Sequence, residues 1–228
     1  MNLQKIQSYI ILFKRYLKSA EAERQLYKWE SLQFFQDNWE IEQPNIAKMY
    51  DASLRNTQTT RLWKGRNYSP KRVMLLFANM TPDYVRHSFK DLLEEEKNIA
   101  DRVDRFIFYC DEMLTEYKTQ NGLSIENNHY HDYFIISLYL TFCYPEQYTF
   151  YDFSTFQKSM RHLGSRNIPE QNDIERFFKI SRTLWKFLEK DEEVWSLHQK
   201  RLYASTHYKE KSLLLVHEFF NVIADRVV

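Results

Sequence analysis

Asn98-Ile99-Ala100-Asp101-Arg102-Val103-Asp104-Arg105-Phe106-Ile107-Phe108-Tyr109-Cys110-Asp111-Glu112-Met113-Leu114-Thr115-Glu116-Tyr117-Lys118 decides the fold class. Ile99, Val103, Phe106, Ile107, Cys110, Leu114 and Tyr117 recur at the three- and four-residue spacing that an α-helix turns to one side. Similar stripes lie on both flanks. Ile6, Ile10, Phe13 and Leu17 mark a first helix, and Leu26, Trp29, Leu32 and Phe35 mark a second from about Glu23 to Asn38. Pro44, Ser69-Pro70 and Thr81-Pro82 are start signals, because proline in the first turn gives up no amide bond. Asp132 reads as the N-cap of a nearly continuous apolar run from Phe134 to Cys143, a buried helix. Phe153 to Leu163 is a helix closed by Gly164, and Asn172-Asp173-Ile174-Glu175 has capping-box spacing. A long helix broken near Lys190-Asp191 follows, and Ser212 to Val227 carries the last one.

The chain of 228 residues has only 3 glycines and 5 prolines, far too few for the turns of a sandwich or barrel. The expected fold is all-α, a multi-helix globular domain, with at most a short two-stranded element near residues 148–151. It is read as one domain over 1–228 or as two lobes, 1–120 and 121–228, parted at Gln120-Asn121-Gly122. Aromatic residues make up 17% of the chain, which predicts a core built on large rings. Cys110 and Cys143 stand alone in apolar surroundings. That spacing excludes a disulfide framework or a four-cysteine zinc site, and a reduced, cytoplasmic protein is expected. No run reaches the roughly 18 apolar residues of a membrane span, so no membrane partner is expected.

Charge is balanced overall, with 32 Lys and Arg against 31 Asp and Glu, but it is segregated along the chain. From Ala52 to Pro82 there is no acid, while Arg55, Arg61, Lys64, Arg66, Lys71 and Arg72 are present, with Trp63 and Tyr68 between them. A second acid-free window, Phe153 to Pro169, holds Lys158, Arg161, His162 and Arg166. Local positive fields of this kind select anionic partners. The expected nucleic-acid contacts are Arg61, Lys64, Arg66, Lys71, Arg72, Lys158, Arg161 and Arg166 on phosphates, with Trp63 and Tyr68 stacking on bases. Asp91 to Glu112 is the counterpart, eight acids against Lys97, Arg102 and Arg105. That face suits a protein partner.

No catalytic constellation emerges. Pro82-Asp83 with Glu95-Glu96-Lys97 has the letters of a PD-(D/E)xK nuclease, but both pieces read as helix and the chemistry needs strands converging on Mg²⁺. Arg201 and His207 fit the loose Arg-x(4–6)-His spacing of HEPN ribonucleases, which gives a ribonuclease as a third functional reading. His129-Tyr130-His131-Asp132 has metal-ligand character but no further ligand at a convincing spacing, so neither metal nor cofactor is expected. With three glycines the chain holds no P-loop or dinucleotide fingerprint.

Three stretches carry a family resemblance: Tyr27-Lys28-Trp29-Glu30-Ser31-Leu32-Gln33-Phe34-Phe35-Gln36-Asp37-Asn38-Trp39, Arg66-Asn67-Tyr68-Ser69-Pro70-Lys71, and His129-Tyr130-His131-Asp132 leading into Tyr144-Pro145-Glu146-Gln147-Tyr148. Together, over roughly residues 5–150, they resemble the N-terminal regions of McrB-like AAA+ proteins, the motor subunits of modification-dependent restriction systems. The resemblance implies a DNA-recognition module that works with a GTP-driven motor domain and a nuclease subunit. This chain carries no motor, so the implied role is recognition or targeting of DNA without catalysis. The alternative is a helical module that docks the motor or nuclease subunit.

Overall fold

The computed structural model describes residues 1–63, 69–121 and 127–225. Helices follow one another throughout: α1 (Leu3–Leu17), α2 (Ala20–Arg24), α3 (Tyr27–Asn38), α4 (Ile46–Ser53), α5 (Thr60–Trp63), α6 (Pro70–Met80), α7 (Pro82–Leu92), α8 (Ile99–Asn121), α9 (Tyr133–Cys143), α10 (Phe153–His162), α11 (Ile174–Glu189), α12 (Glu192–Arg201) and α13 (Leu214–Asp225). The fold is all-α, and no strand occurs among the described residues. The second expected helix is two, separated by a turn at Gln25-Leu26.

Most starts are local chemistry. The side chains of Asn2, Asn45, Asp152, Asp173 and Asp191 each accept the amide three residues on, satisfying one of the otherwise orphaned first-turn donors. In the Asn172–Glu175 stretch the cap is Asp173, which accepts from Arg176. Asp132 caps α9 through the Ile135 amide at 3.0 Å. Ser69 and Thr81 precede prolines but make no side-chain cap bond, so α6 and α7 start on proline geometry alone.

The expected two-stranded element near 148–151 is absent. Tyr148, Thr149, Phe150 and Tyr151 are all buried, whereas a half-buried strand would alternate. Their rings insert between helices instead: Tyr148 against Phe178, Phe150 against His217 and Tyr151 against Phe177, with centroids 4.7–5.3 Å apart. The segment is a non-helical strap whose rings are packed between helices.

The chain forms two compact units. One is continuous, Ser31–Cys143, and the other is discontinuous, Met1–Glu30 with Tyr144–Val228. The division falls at 30/31 and 143/144 rather than at 120/121. α8 and α9 pack together in the continuous unit, so the helices on either side of the expected boundary share one core. In that unit α9 is buried at every position from Ile135 to Phe142. Around it Phe35, Trp39, Tyr50, Phe89, Phe106, Tyr139 and Phe142 interlock at centroid distances of 4.8–6.2 Å. Edge-to-face geometry adds about 0.5–1.5 kcal/mol per pair beyond burial. In the discontinuous unit α13 is the central element, packed against α10, α1 and α11. Phe13, Phe156, Phe177, Phe219 and Phe220 fill its core.

Candidate functional site

The first basic window is only partly an open surface. Lys64, Arg66 and Tyr68 lie outside the described residues. Arg61 is exposed at the short α5 and reaches Gln58 Oε1 at 3.3 Å, and Arg72 is exposed in the first turn of α6. Lys71 is turned inward: its Nζ meets Asp51 Oδ1 at 2.8 Å and the carbonyls of Asp51 and Leu54 at 3.1 Å each. That contact holds the Asp51 carboxyl below its ordinary range, helped by Arg55. Trp63 is 6% exposed and lines a small void with Leu54, Pro70, Ile135 and Leu138, so its ring is part of the core.

The second window is open. Lys158 and Arg161 lie on the outer face of α10, and Arg166 is exposed in the loop that follows. The fold adds a cation that sequence reasoning missed. Asn2 donates its amide to the Leu163 carbonyl at 2.8 Å, which sets the start of α1 at the end of α10 and brings Lys5 over Gly164. Arg176, from α11, braces the loop through Ser165 Oγ at 3.3 Å and the Asn167 carbonyl. None of Lys5, Lys158, Arg161 and Arg166 forms an ion pair with a described residue. This patch sits at a helix C-terminus, so side chains rather than first-turn amides supply its charge.

The acidic stretch divides in two. Asp91 is buried between Arg105 and Lys97 at 2.7 Å each, Glu94 meets Lys97, and Glu95 meets Arg102. The negative surface is therefore the outer face of α8, where Asp101, Asp104, Asp111, Glu112 and Glu116 surround Phe108, itself 56% exposed. Asp111, Glu112 and Glu116, with Thr81, Tyr84 and Thr115, line an open groove of about 640 Å³. Asp83 lies in the first turn of α7, and the Glu95–Lys97 stretch is non-helical chain with no strand beside it.

Arg201 and His207 are internal. Arg201 is buried, paired with Glu218, bonded to the Ala22 carbonyl at 3.0 Å and stacked over Trp29 at 5.0 Å. His207 Nδ1 accepts the Tyr203 amide at 2.9 Å and closes the turn after α12.

One cluster joins residues that the sequence kept apart. Cys110 on α8 meets His129 and His131, all buried, with one donor atom of each within 4.8 Å of the others. Tyr130, between the two histidines, has φ +61°, a left-handed conformation uncommon for tyrosine. The imidazoles stack at 5.6 Å and 24°. His129 Nδ1 accepts the His131 amide at 2.9 Å, and its Nε2 lies 3.2 Å from Asp111 Oδ1. His131 Nε2 meets the Tyr139 hydroxyl at 3.1 Å, which in turn meets the Tyr50 hydroxyl at 2.7 Å. His131 Nδ1 is buried and has no hydrogen-bond partner. Burial lowers the His131 pKa to about 3, with His129 adding to the effect, and pushes the Cys110 thiol well up. No family model, curated protein or solved structure matches the chain.

Proposed function

We propose that the chain is a non-catalytic nucleic-acid-recognition module, DNA first, of a McrB-like restriction or defence system. Its sequence likeness to the N-terminal regions of such motors supports the system. The observation that carries the binding reading is that Lys5, Lys158, Arg161 and Arg166 are all exposed and none is paired with a described carboxylate. By contrast, Lys14, Lys18, Lys71, Lys97, Arg102, Arg105 and Arg201 are all paired with carboxylates of the chain itself. Cations without a carboxylate partner gain most from phosphate, because they give up no ion pair and release counterions from the polyanion. Arg61 and Arg72 provide further cationic contacts on the continuous unit.

A titration of duplex and single-stranded DNA across salt concentrations tests the reading. Four phosphate contacts predict a slope of about −3.6 in log K against log salt on duplex DNA. The Lys158→Ala/Arg161→Ala variant reduces its magnitude by about 1.8. Affinity indifferent to salt, or a double variant that binds like the parent, overturns it.

The second reading, docking of a motor or nuclease subunit, is favoured by one observation. Phe108 stands exposed in an acidic field on α8, the pairing of apolar anchor and charge that a basic protein partner fits.

A further inference from the structure

We propose that Cys110, His129 and His131 form a binding site for a single zinc-class transition-metal ion, with Asp111 at its rim. One thiol and two imidazoles are the donor set that borderline-soft divalent ions select over magnesium or calcium. Three features beyond proximity support it. The first is the orphaned Nδ1 of His131. A buried ring nitrogen without a partner costs about 1–3 kcal/mol, and such groups in folded proteins are rarely left so. In the tautomer whose Nε2–H donates to Tyr139, Nδ1 carries the lone pair, and a metal ion is the acceptor of lone pairs that fits an apolar surround.

The second feature is the outer layer. Metal-bound histidines characteristically have their other nitrogen held by a carboxylate, carbonyl or hydroxyl. Tyr139, backed by Tyr50, fills that role for His131, and Asp111, 3.2 Å from His129 Nε2, fills it for His129, whose Nδ1 exchanges the His131 amide for the ion on binding. The third is the turn. Tyr130 occupies a left-handed conformation that costs roughly 1–2 kcal/mol for a non-glycine residue. The turn sets the two rings side by side and facing α8. Strain retained between two potential ligands is accounted for when the ligands share an ion.

Tetrahedral coordination at 2.0–2.3 Å places ligand atoms about 3.3–3.7 Å apart, so donors now within 4.8 Å need close by only about 1 Å. Three protein ligands leave a fourth position, the arrangement of an open site. The cluster meets solvent at Asp111, whose exposed carboxylate contacts His129 and also walls the acidic groove. Binding converts the Cys110 thiol to thiolate and releases its proton to solvent, so affinity rises with pH.

The full untagged chain, stripped of metal, is titrated with Zn²⁺ and separately with Co²⁺, with Mg²⁺ as control. The expected result is one Zn²⁺ per chain, a Zn²⁺-dependent rise in Tm that Mg²⁺ does not give, and a Co²⁺ complex with tetrahedral ligand-field absorption and a sulfur charge-transfer band. Cys110→Ser removes that band. Because Cys110 lies in the core, Asp111→Asn provides a variant at the exposed rim that leaves packing intact, and it weakens Zn²⁺ by about 10–100-fold. A chain that takes up no stoichiometric Zn²⁺, a cobalt spectrum without the sulfur band, or affinity unchanged in Asp111→Asn overturns the proposal.

Discussion

His198 is buried among Trp29, Trp195 and Arg201, and its Nδ1 accepts from Arg201 Nε at 3.4 Å and faces Nη2 at 3.3 Å. Accepting from a guanidinium requires a lone pair, so the folded state holds this ring neutral. Burial, then the Arg201 charge, places its pKa well below the ordinary value. Half-buried His217 is held low in the same sense by burial and by Lys28, whose Nζ lies 3.2 Å from its Nδ1. The unfolded chain protonates these rings near pH 6.5 and the folded chain does not, so the unfolded state binds more protons. Stability is therefore full above that pH and falls as pH drops below it, by about 1.4 kcal/mol per unit for each ring that stays neutral. Glu218, pushed up by burial against the pull of Arg201, works in the opposite sense nearer the carboxylate range. Urea unfolding at pH 7.5, 6.5 and 5.5 is expected to show the decline, and His198→Gln to flatten it. An equal slope in that variant removes His198 as a source.

The end of α10 shows how a single element was legible. Leu163 caps the helix, Gly164 at φ +65° follows, the Gly164 amide bonds the Arg161 carbonyl at 3.0 Å, and the Ser165 amide bonds Met160 at 2.9 Å. These are the two bonds of a Schellman termination, for which glycine at that position is the sequence mark. A Cβ there would meet Lys5 at 3.5 Å, an ordinary contact, so the cost of Gly164→Ala is conformational. Loss of about 1–2 kcal/mol in chemical denaturation is expected, with Gly164→Asn losing less, because asparagine tolerates the left-handed region. Local signals of this type placed most of the longer helices, the Asp132 cap and the break at Lys190-Asp191, but not the turn between α2 and α3 or the short α5. The candidate metal cluster was half legible for the converse reason. His129 and His131 are neighbours in sequence, but Cys110 sits in a regular apolar stripe where a buried cysteine looks like any small hydrophobe. Only the packing of α8 against the 129–131 turn brings it within reach. The strap at 148–151 failed similarly, since its residues have strand propensity and their partners are helices.

For the whole molecule, the continuous unit has its core within residues 31–143, built around α9, while the discontinuous unit needs both ends of the chain. A fragment of residues 1–120 keeps Phe35, Phe89 and Phe106 but lacks all of α9, so it removes Phe142 from Phe35 and Tyr139 from Phe89 and Phe106. It is expected to lose near-ultraviolet circular dichroism and cooperative unfolding, whereas residues 31–143 retain both. Cooperative unfolding of 1–120 would contradict this division. No periodicity in the sequence marks 30/31 or 143/144, because α3 runs uninterrupted through the first and only the end of α9 marks the second. The pairing of α1 with α13 also sets an order of events during synthesis. On a ribosome adding about 5–20 residues per second, α1 emerges roughly ten to forty seconds before the helix that covers Phe13 exists. For that interval the nascent chain shows an amphipathic helix with no mate, while the segment between completes its own core. α1, made long before its cover, is thus among the last helices to be buried, and it is the natural place for a chaperone to hold the newborn chain.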